Sequence, residues 1–356
     1  DLCLPLAGAV KNAAKALESP KGLRPRPLEY EIMSLTRRSL AGIAAGFALS
    51  ALSLAPALAA PTEIRVDWAT YNPLSLVLKE KKLLEKEFEA DKIAIRWVFS
   101  AGSNKALEFL NAGSLDVGST AGAAALIAKI NGNPIKAVGV FSRPEWTALV
   151  TRADSAITKP ADLKGKTVAV TRGTDPHIFL VRSLDGAGLT ERDVKLVLLQ
   201  HADGKTALLR KDVDAWAGLD PIMAQAEVEE GAKLFFRKAE DNTWGVLNAR
   251  EEFAQQNPQI VARVLKVYEE ARQWALKNPD ELKKLLVAET KLPDAVIAKQ
   301  LERTDLSNNS TSVAATKETI LAAGLALQKA GVIEAKDNVK GAVEALIDTR
   351  FAVSPK

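Results

Sequence analysis

The chain has 356 residues, 47% of them hydrophobic and 26% charged, which is enough apolar sequence for one or two packed domains and rules out a disordered or fibrous protein. Its 48 Lys plus Arg and 44 Asp plus Glu leave a net charge of +4 with no long block of one sign, so a nucleic-acid partner is not expected. The single cysteine stands at position 3 and the only histidines are His177 and His201, which removes a disulfide framework, a Cys- or His-rich metal site and a catalytic thiol from the body of the chain.

From Met33 the chain reads MSLTRRSLAGIAAGFALSALSLAPALAA: two arginines, an apolar run from about Leu40 to Leu54, and small residues up to Ala60 before Pro61. That is the layout of a signal peptide over residues 33–60, with cleavage expected before Pro61 and a membrane anchor over the uncharged run Ser39–Ala60 as the alternative. The run Thr36-Arg37-Arg38-Ser39-Leu40 fits a twin-arginine signal as well as an ordinary secretory one, so export to the periplasm by either route is expected. Residues 1–32 start without Met, carry Pro20, Pro25 and Pro27 among basic residues, and are set outside the fold. Removing residues 1–60 takes away seven basic and four acidic side chains, leaving 41 against 40. A body so nearly neutral can prefer an anion only through local geometry.

Beyond Pro61, strand and helix signals alternate. Glu63 to Ala69 and Ile93 to Phe99 alternate in the manner of strands, and Leu74 to Phe88 between them has helical spacing of Leu74, Val77, Leu78 and Leu84. A helix is predicted over Lys105–Asn111, a strand over Asp116–Ser119, a helix over Ala123–Ile130 and a strand over Ile135–Val140. Such traffic predicts a parallel sheet with helices on both faces. The pattern restarts with strands at Thr167–Val170, Val194–Leu199, Ala215–Leu219 and Lys233–Phe236 and helices at Ile178–Asp185 and Thr206–Arg210. After Asn248 the reading is nearly all helical to Leu346, with helices near Glu251–Gln255, Pro258–Lys277, Pro279–Val287 and Val313–Ala330.

Two extended stretches, Trp146–Thr151 and Trp244–Asn248, bracket the second half. If both cross between domains, residues 61–145 and 246–356 form lobe I and residues 146–245 an inserted lobe II. The expected architecture is therefore α/β, two doubly wound sheets joined by two crossing strands, with a hinge and a cleft between the lobes.

In such sheets ligands sit beyond the carboxyl ends of the strands. Four loops qualify: Ala69–Pro73, Ser100–Asn104, Ser119–Gly122 and Thr171–His177. Each sets small or hydroxyl residues at a helix start, where free amides and the helix dipole favour an anion. Ser103, Thr120 and Thr174 are equally the residue types that cap helices, and Asn72 before Pro73 is an ordinary helix opener. His177 is a candidate donor to a ligand oxygen, whereas His201 is read as a surface residue. Asp220 either caps the next helix or holds a cationic group of a zwitterion. Of the aromatics, Tyr71 and Trp244 are cleft candidates; Trp68, Trp146 and Trp216 are assigned to core packing. No dinucleotide fingerprint, phosphate loop, nucleophile elbow or metal cluster occurs, so no cofactor and no catalysis are expected.

The runs GSNKALEFLNAGSLDVGSTAGAAAL (Gly102–Leu126), DLKGKTVAVTRGTDPHIFLVRSLDGAGL (Asp162–Leu189) and DVDAWAGLDP (Asp212–Pro221) resemble the aliphatic sulfonate-binding proteins of ABC importers, relatives of taurine- and nitrate-binding proteins. The resemblance spans about residues 62–345. It implies two α/β lobes closing on an oxyanion, with a monomer delivering a small organic anion to a membrane permease. Carried over by position, it implicates Ser103, Asn104, Thr120, Ala121, Gly122, Gly173, Thr174 and His177, with Asp220 at the strand-end Asp-Pro. Arg172 stands where Lys is usual, and Asp175 adds a carboxylate that must either turn away as a cap or meet a ligand amine. Other expectations on the same scaffold are a nitrate or thiamine-pyrimidine-precursor binder, an enzyme, or a sensor domain.

Overall fold

A computed structural model describes residues 61–352; the segments assigned above to an upstream stretch and a signal peptide lie outside the described residues. β1 (Glu63–Trp68) passes through α1 (Pro73–Glu80) and α2 (Leu83–Phe88) to β2 (Ala94–Phe99). Next come α3 (Ser103–Asn111), β3 (Val117–Ala121), α4 (Gly122–Ile130), β4 (Ile135–Pro144) and β5 (Thr147–Thr151). Then follow β6 (Thr167–Val170), α5 (Asp175–Gly186), β7 (Lys195–Leu198), α6 (His201–Leu209), β8 (Ala215–Leu219), α7 (Ile222–Glu230) and β9 (Lys233–Phe236). The chain continues with β10 (Gly245–Arg250), α8 (Glu251–Gln256), α9 (Pro258–Lys277), α10 (Pro279–Thr290), α11 (Asp294–Glu302), β11 (Thr304–Asp305), α12 (Lys317–Lys329) and α13 (Val339–Leu346).

The strands form two sheets, in the orders β11-β4-β10-β3-β1-β2 and β7-β6-β8-β5-β9. Neither is all parallel, contrary to the expectation from alternation alone. β10 runs antiparallel to β3 and β4, and β5 runs antiparallel to β8 and β9. Both are the strands entered directly from the other sheet, without the helical crossover that parallel pairing requires. The crossings are short: Glu145 and Trp146 on one side, and the segment after Phe236 on the other, which carries a 3₁₀ turn at Ala239–Asp241.

The helix predicted over Leu74–Phe88 is two helices. Lys82 takes a left-handed backbone at φ 52° and bends the chain, yet Leu84 and Phe88 are still returned to the core. Asn72 opens α1 as expected, accepting a hydrogen bond from the Ser75 amide at 3.2 Å with Pro73 at the first turn. In the second lobe the alternation of strand residues divides the core in two. Leu149, Val168 and Val170 pack with Phe179 and Leu184 on one face, and Ala148, Val150 and Ala169 pack with Leu208, Trp216 and Met223 on the other. The C-terminal helices cover the first lobe, α9 and α10 against α1, α12 and α13 against α4, while α11 also reaches α7 and α12 reaches α5.

Candidate functional site

Loops that follow strand ends of the two sheets approach one another, Gly173 towards Asn104 and His201 towards Gly102. The starts of α3 and α5 are the best placed for an anion, because neither Gly102 nor Thr174 caps its helix through a side chain, and the first amides of a helix have no intrahelical acceptor. Asn104 from the first lobe and Gly173 from the second face each other, a β-carbon on Gly173 standing 3.9 Å from that of Asn104. Gly173 has φ 77°, a conformation that favours glycine.

The hydroxyls at these loops do not act as simple caps. Ser103 Oγ accepts from the Ala121 amide at 3.0 Å, tying the second and third loops together. Thr120 Oγ1 donates to the Ala121 carbonyl at 3.0 Å and accepts from Asn248 Nδ2 at 2.8 Å. Thr174 Oγ1 donates to the Thr171 carbonyl at 2.6 Å. The Gly122 amide is taken by the Trp244 carbonyl at 2.9 Å, and the Ala123 amide by Thr243 Oγ1 at 3.2 Å, so the start of α4 faces the crossing segment. Of the first loop, Tyr71 donates its hydroxyl to the Ser119 carbonyl at 2.9 Å, and Asn72 is fully buried. Trp244 is almost buried, with the Arg143 guanidinium 5.5 Å from its ring centre.

His177 is drawn to Glu191, Nε2 to Oε1 at 2.9 Å, and this contact holds the Glu191 carboxyl below its usual range. His201, read from sequence as a surface residue, is buried at the start of α6. Its Nδ1 lies 3.2 Å from Thr171 Oγ1, and burial lowers the imidazole to about 3, so the ring is neutral. Among the described residues its Nε2 has no partner, and the same holds for Asn104 Oδ1. A β-carbon added to Gly102 would stand 2.9 Å from each of these two atoms, placing His201 of the second lobe against the second loop of the first. Its position directly after β7 is the signal that marked the other loops.

Asp175 turns away from any ligand. It is buried and accepts from Trp146 Nε1 at 2.8 Å, the Thr243 amide at 3.0 Å and Thr243 Oγ1 at 2.7 Å. One carboxylate at the head of α5 therefore holds both crossings. Burial raises its pKa, although these donors and Arg182 oppose the rise.

Asp220 is likewise occupied. It accepts from the Ala224 amide at 2.9 Å and pairs with Arg303 at 3.3 Å, Arg303 also bonding Glu227. Arg303 follows α11 and lies beside β11 of the first sheet, so this buried pair joins the lobes. Arg303→Met is expected to weaken that junction by about 3 kcal/mol, since it leaves a buried carboxyl without its cation. Small-angle scattering should then show a larger radius of gyration; an unchanged radius would count against the junction holding the lobes together.

Below the loops, Asp67 at the end of β1 is fully buried and accepts from the Ser119 amide and hydroxyl, both at 2.9 Å. Burial raises its carboxyl to about 7. The unfolded chain then loses this proton near pH 4 while the folded one keeps it, so stability falls between about pH 4 and pH 7, by up to about 1.4 kcal/mol per pH unit from this group, and no further above it. Asp67→Asn should remove that component from urea-unfolding curves measured across the range.

A surface cavity of about 170 Å³ lined by Glu63, Arg65, Asp116 and Arg250 lies beside the first residues of β1, away from the cleft. Another of about 280 Å³ runs between α3 and α4. Among the described residues no group of three or more His, Cys, Asp and Glu is placed to hold a metal ion, and no helix is long and apolar enough to cross a membrane.

Residues 88–282 match the family described as NMT1/THI5 like. The chain belongs to the NMT1/THI5-like family. The chain is 30% identical over 271 residues, 76% of its own length and 83% of the relative's, to a protein of Escherichia coli K12 named an aliphatic sulfonates-binding protein. It is also similar to the solved structure of the alkanesulfonate-binding protein SsuA from Xanthomonas axonopodis pv. citri bound to MOPS, with 25% identity, a TM-score of 0.71, and 79% of this chain and 98% of that one covered. The nitrate-binding protein NrtA from Synechocystis PCC 6803 shares the fold at 14% identity, with a TM-score of 0.67 over 82% of this chain and 87% of that one. The NMT1/THI5-like chain thus has the two-lobed fold of periplasmic binding proteins, and its relatives support a solute-binding role.

Proposed function

We propose that this chain is an exported solute-binding protein that captures an aliphatic sulfonate, or a similar small organic anion, between its lobes and delivers it to the permease of an ABC importer. The observation that carries the reading is the approach of two uncapped helix starts from opposite lobes, at Asn104 and Gly173, in a chain related to sulfonate-binding proteins. A sulfonate has three oxygens to share among such amides, and the helix dipoles supply charge complementarity that a nearly neutral body does not. Closure would present a different outer surface to the permease when the ligand is held. The proposed contacts are the backbone of Ser103, Asn104, Gly173 and Thr174, with Tyr71 and Thr120 shaping the wall.

Thermal unfolding with taurine, longer alkanesulfonates, sulfate, nitrate and a thiamine-pyrimidine precursor tests the reading. A ligand that binds only the folded form stabilises it by about 2.7 kcal/mol at a hundredfold excess over its Kd. A raised midpoint with organic sulfonates is expected. A rise with nitrate or the pyrimidine alone would replace the sulfonate by that ligand.

A further inference from the structure

Where the loops of the two lobes meet, the structure sets a hydrogen-bond acceptor beside helix starts that offer donors. Thr171 Oγ1 donates its only hydrogen to the Leu199 carbonyl at 2.7 Å. Towards His201 Nδ1, 3.2 Å away, the same oxygen can only accept. The imidazole proton is thereby assigned to Nδ1, and Nε2 presents a bare lone pair. That nitrogen belongs to a side chain that is 1% exposed, has no partner among the described residues, and faces the first lobe over Gly102. Asn104 Oδ1, also unpartnered, lies at the same spot, 2.9 Å from the point where a β-carbon of Gly102 would be. Two acceptors converge beside the helix starts, while the carboxylates of Asp175 and Asp220 are engaged with the crossings and with Arg303. Buried acceptors of this kind discriminate strongly, because a ligand that offers no hydrogen leaves them desolvated and unpaired.

We infer that His201 Nε2, with Asn104 Oδ1 beside it, receives a hydrogen-bond donor of the ligand, so that the site selects anions bearing an ammonium or hydroxyl group close to the oxyanion over plain alkyl anions. The inference rests on the proposed function and narrows its substrate class. Thr171 is the positioning residue: it holds the proton on Nδ1 and so keeps Nε2 an acceptor.

Calorimetric titration of the purified protein with taurine, isethionate, ethanesulfonate and N,N,N-trimethyltaurine is the test. Taurine and isethionate offer N–H and O–H donors; ethanesulfonate offers none, and the trimethyl compound keeps the positive charge of taurine without an N–H. The expected result is at least tenfold tighter binding of taurine or isethionate than of both ethanesulfonate and trimethyltaurine, with the ratio falling to near one in His201→Phe. In Thr171→Val, where the proton is free to sit on either nitrogen, the ratio should fall part of the way. Equal Kd values across the four ligands in the unmodified protein would overturn this inference and leave sulfonate binding intact. A ratio unmoved by His201→Phe would place the selecting group elsewhere. Failure of all four to bind would overturn the sulfonate reading itself, and donor selection with it.

Discussion

Asp175→Ala is expected to destabilise the protein by about 3–5 kcal/mol, because three buried donors lose their acceptor at once. Trp146 Nε1, the Thr243 amide and Thr243 Oγ1 all converge on this carboxylate, and all three belong to the two crossings. Asp175→Asn is the informative control. The amide oxygen can accept from Trp146 and the Thr243 amide, while the amide nitrogen donates to Thr243 Oγ1, so about 1 kcal/mol or less should be lost. Urea unfolding of the two variants measures the difference. Equal losses would mean that charge, and not the pattern of bonds, is what the position requires. Since burial already pushes the Asp175 carboxyl upward, a neutral amide meets no added desolvation there.

Gly102→Ala is expected to weaken ligand binding by about ten- to a hundredfold, the equivalent of about 1–3 kcal/mol of overpacking, with little change in the thermal midpoint of the ligand-free protein. Its φ of 176° is extended backbone open to any residue, so the added methyl brings no backbone strain. What it meets is Asn104 Oδ1 at 2.9 Å, the end of a flexible side chain of its own loop that can turn aside, and His201 Nε2 at 2.9 Å and Cδ2 at 3.1 Å, atoms of the opposite lobe. The lobes can avoid that contact by staying apart, which separates closure from folding. Titration with taurine and a thermal melt, run side by side, check the split; a large fall in the melt with unchanged binding would refute it.

The alternating strands and helices were legible because each carries its own period: α3 and α4 start within two residues of the predicted positions and α5 three residues before its own. The break at Lys82 was not, since a left-handed lysine has no sequence signature and the apolar spacing resumes beyond it. The mixed pairing of both sheets also escaped the reading: alternation counts elements but is silent on which strand a returning chain joins. At the site, Ser103, Thr120 and Thr174 could be named but not their partners. Ser103 Oγ bonds an amide eighteen positions away, Thr120 bonds Asn248, and only tertiary structure brings such pairs together. Asp175 was posed as a choice between turning away and meeting an amine. Its donors, Trp146 and Thr243, lie 29 and 68 positions from it, which is why the choice could not be made from spacing. His201 was misread because one polar residue after a strand gives no periodic evidence of its own burial.

The placement of β10 between β3 and β4 bears on the order in which the protein is made. The second sheet draws all five of its strands from an unbroken stretch, Thr147–Phe236, and can be complete as soon as that stretch has emerged. The first sheet cannot: β3 and β4, synthesised earlier, are joined only through a strand that ends at Arg250. During vectorial emergence, then, the middle stretch of the molecule is the earlier to fold, and the amino-terminal strands wait with unpaired edges for more than a hundred residues. Those edges, exposed between the appearance of β3 and the arrival of β10, form the interval in which a nascent chain is most open to aggregation and most in need of a holdase.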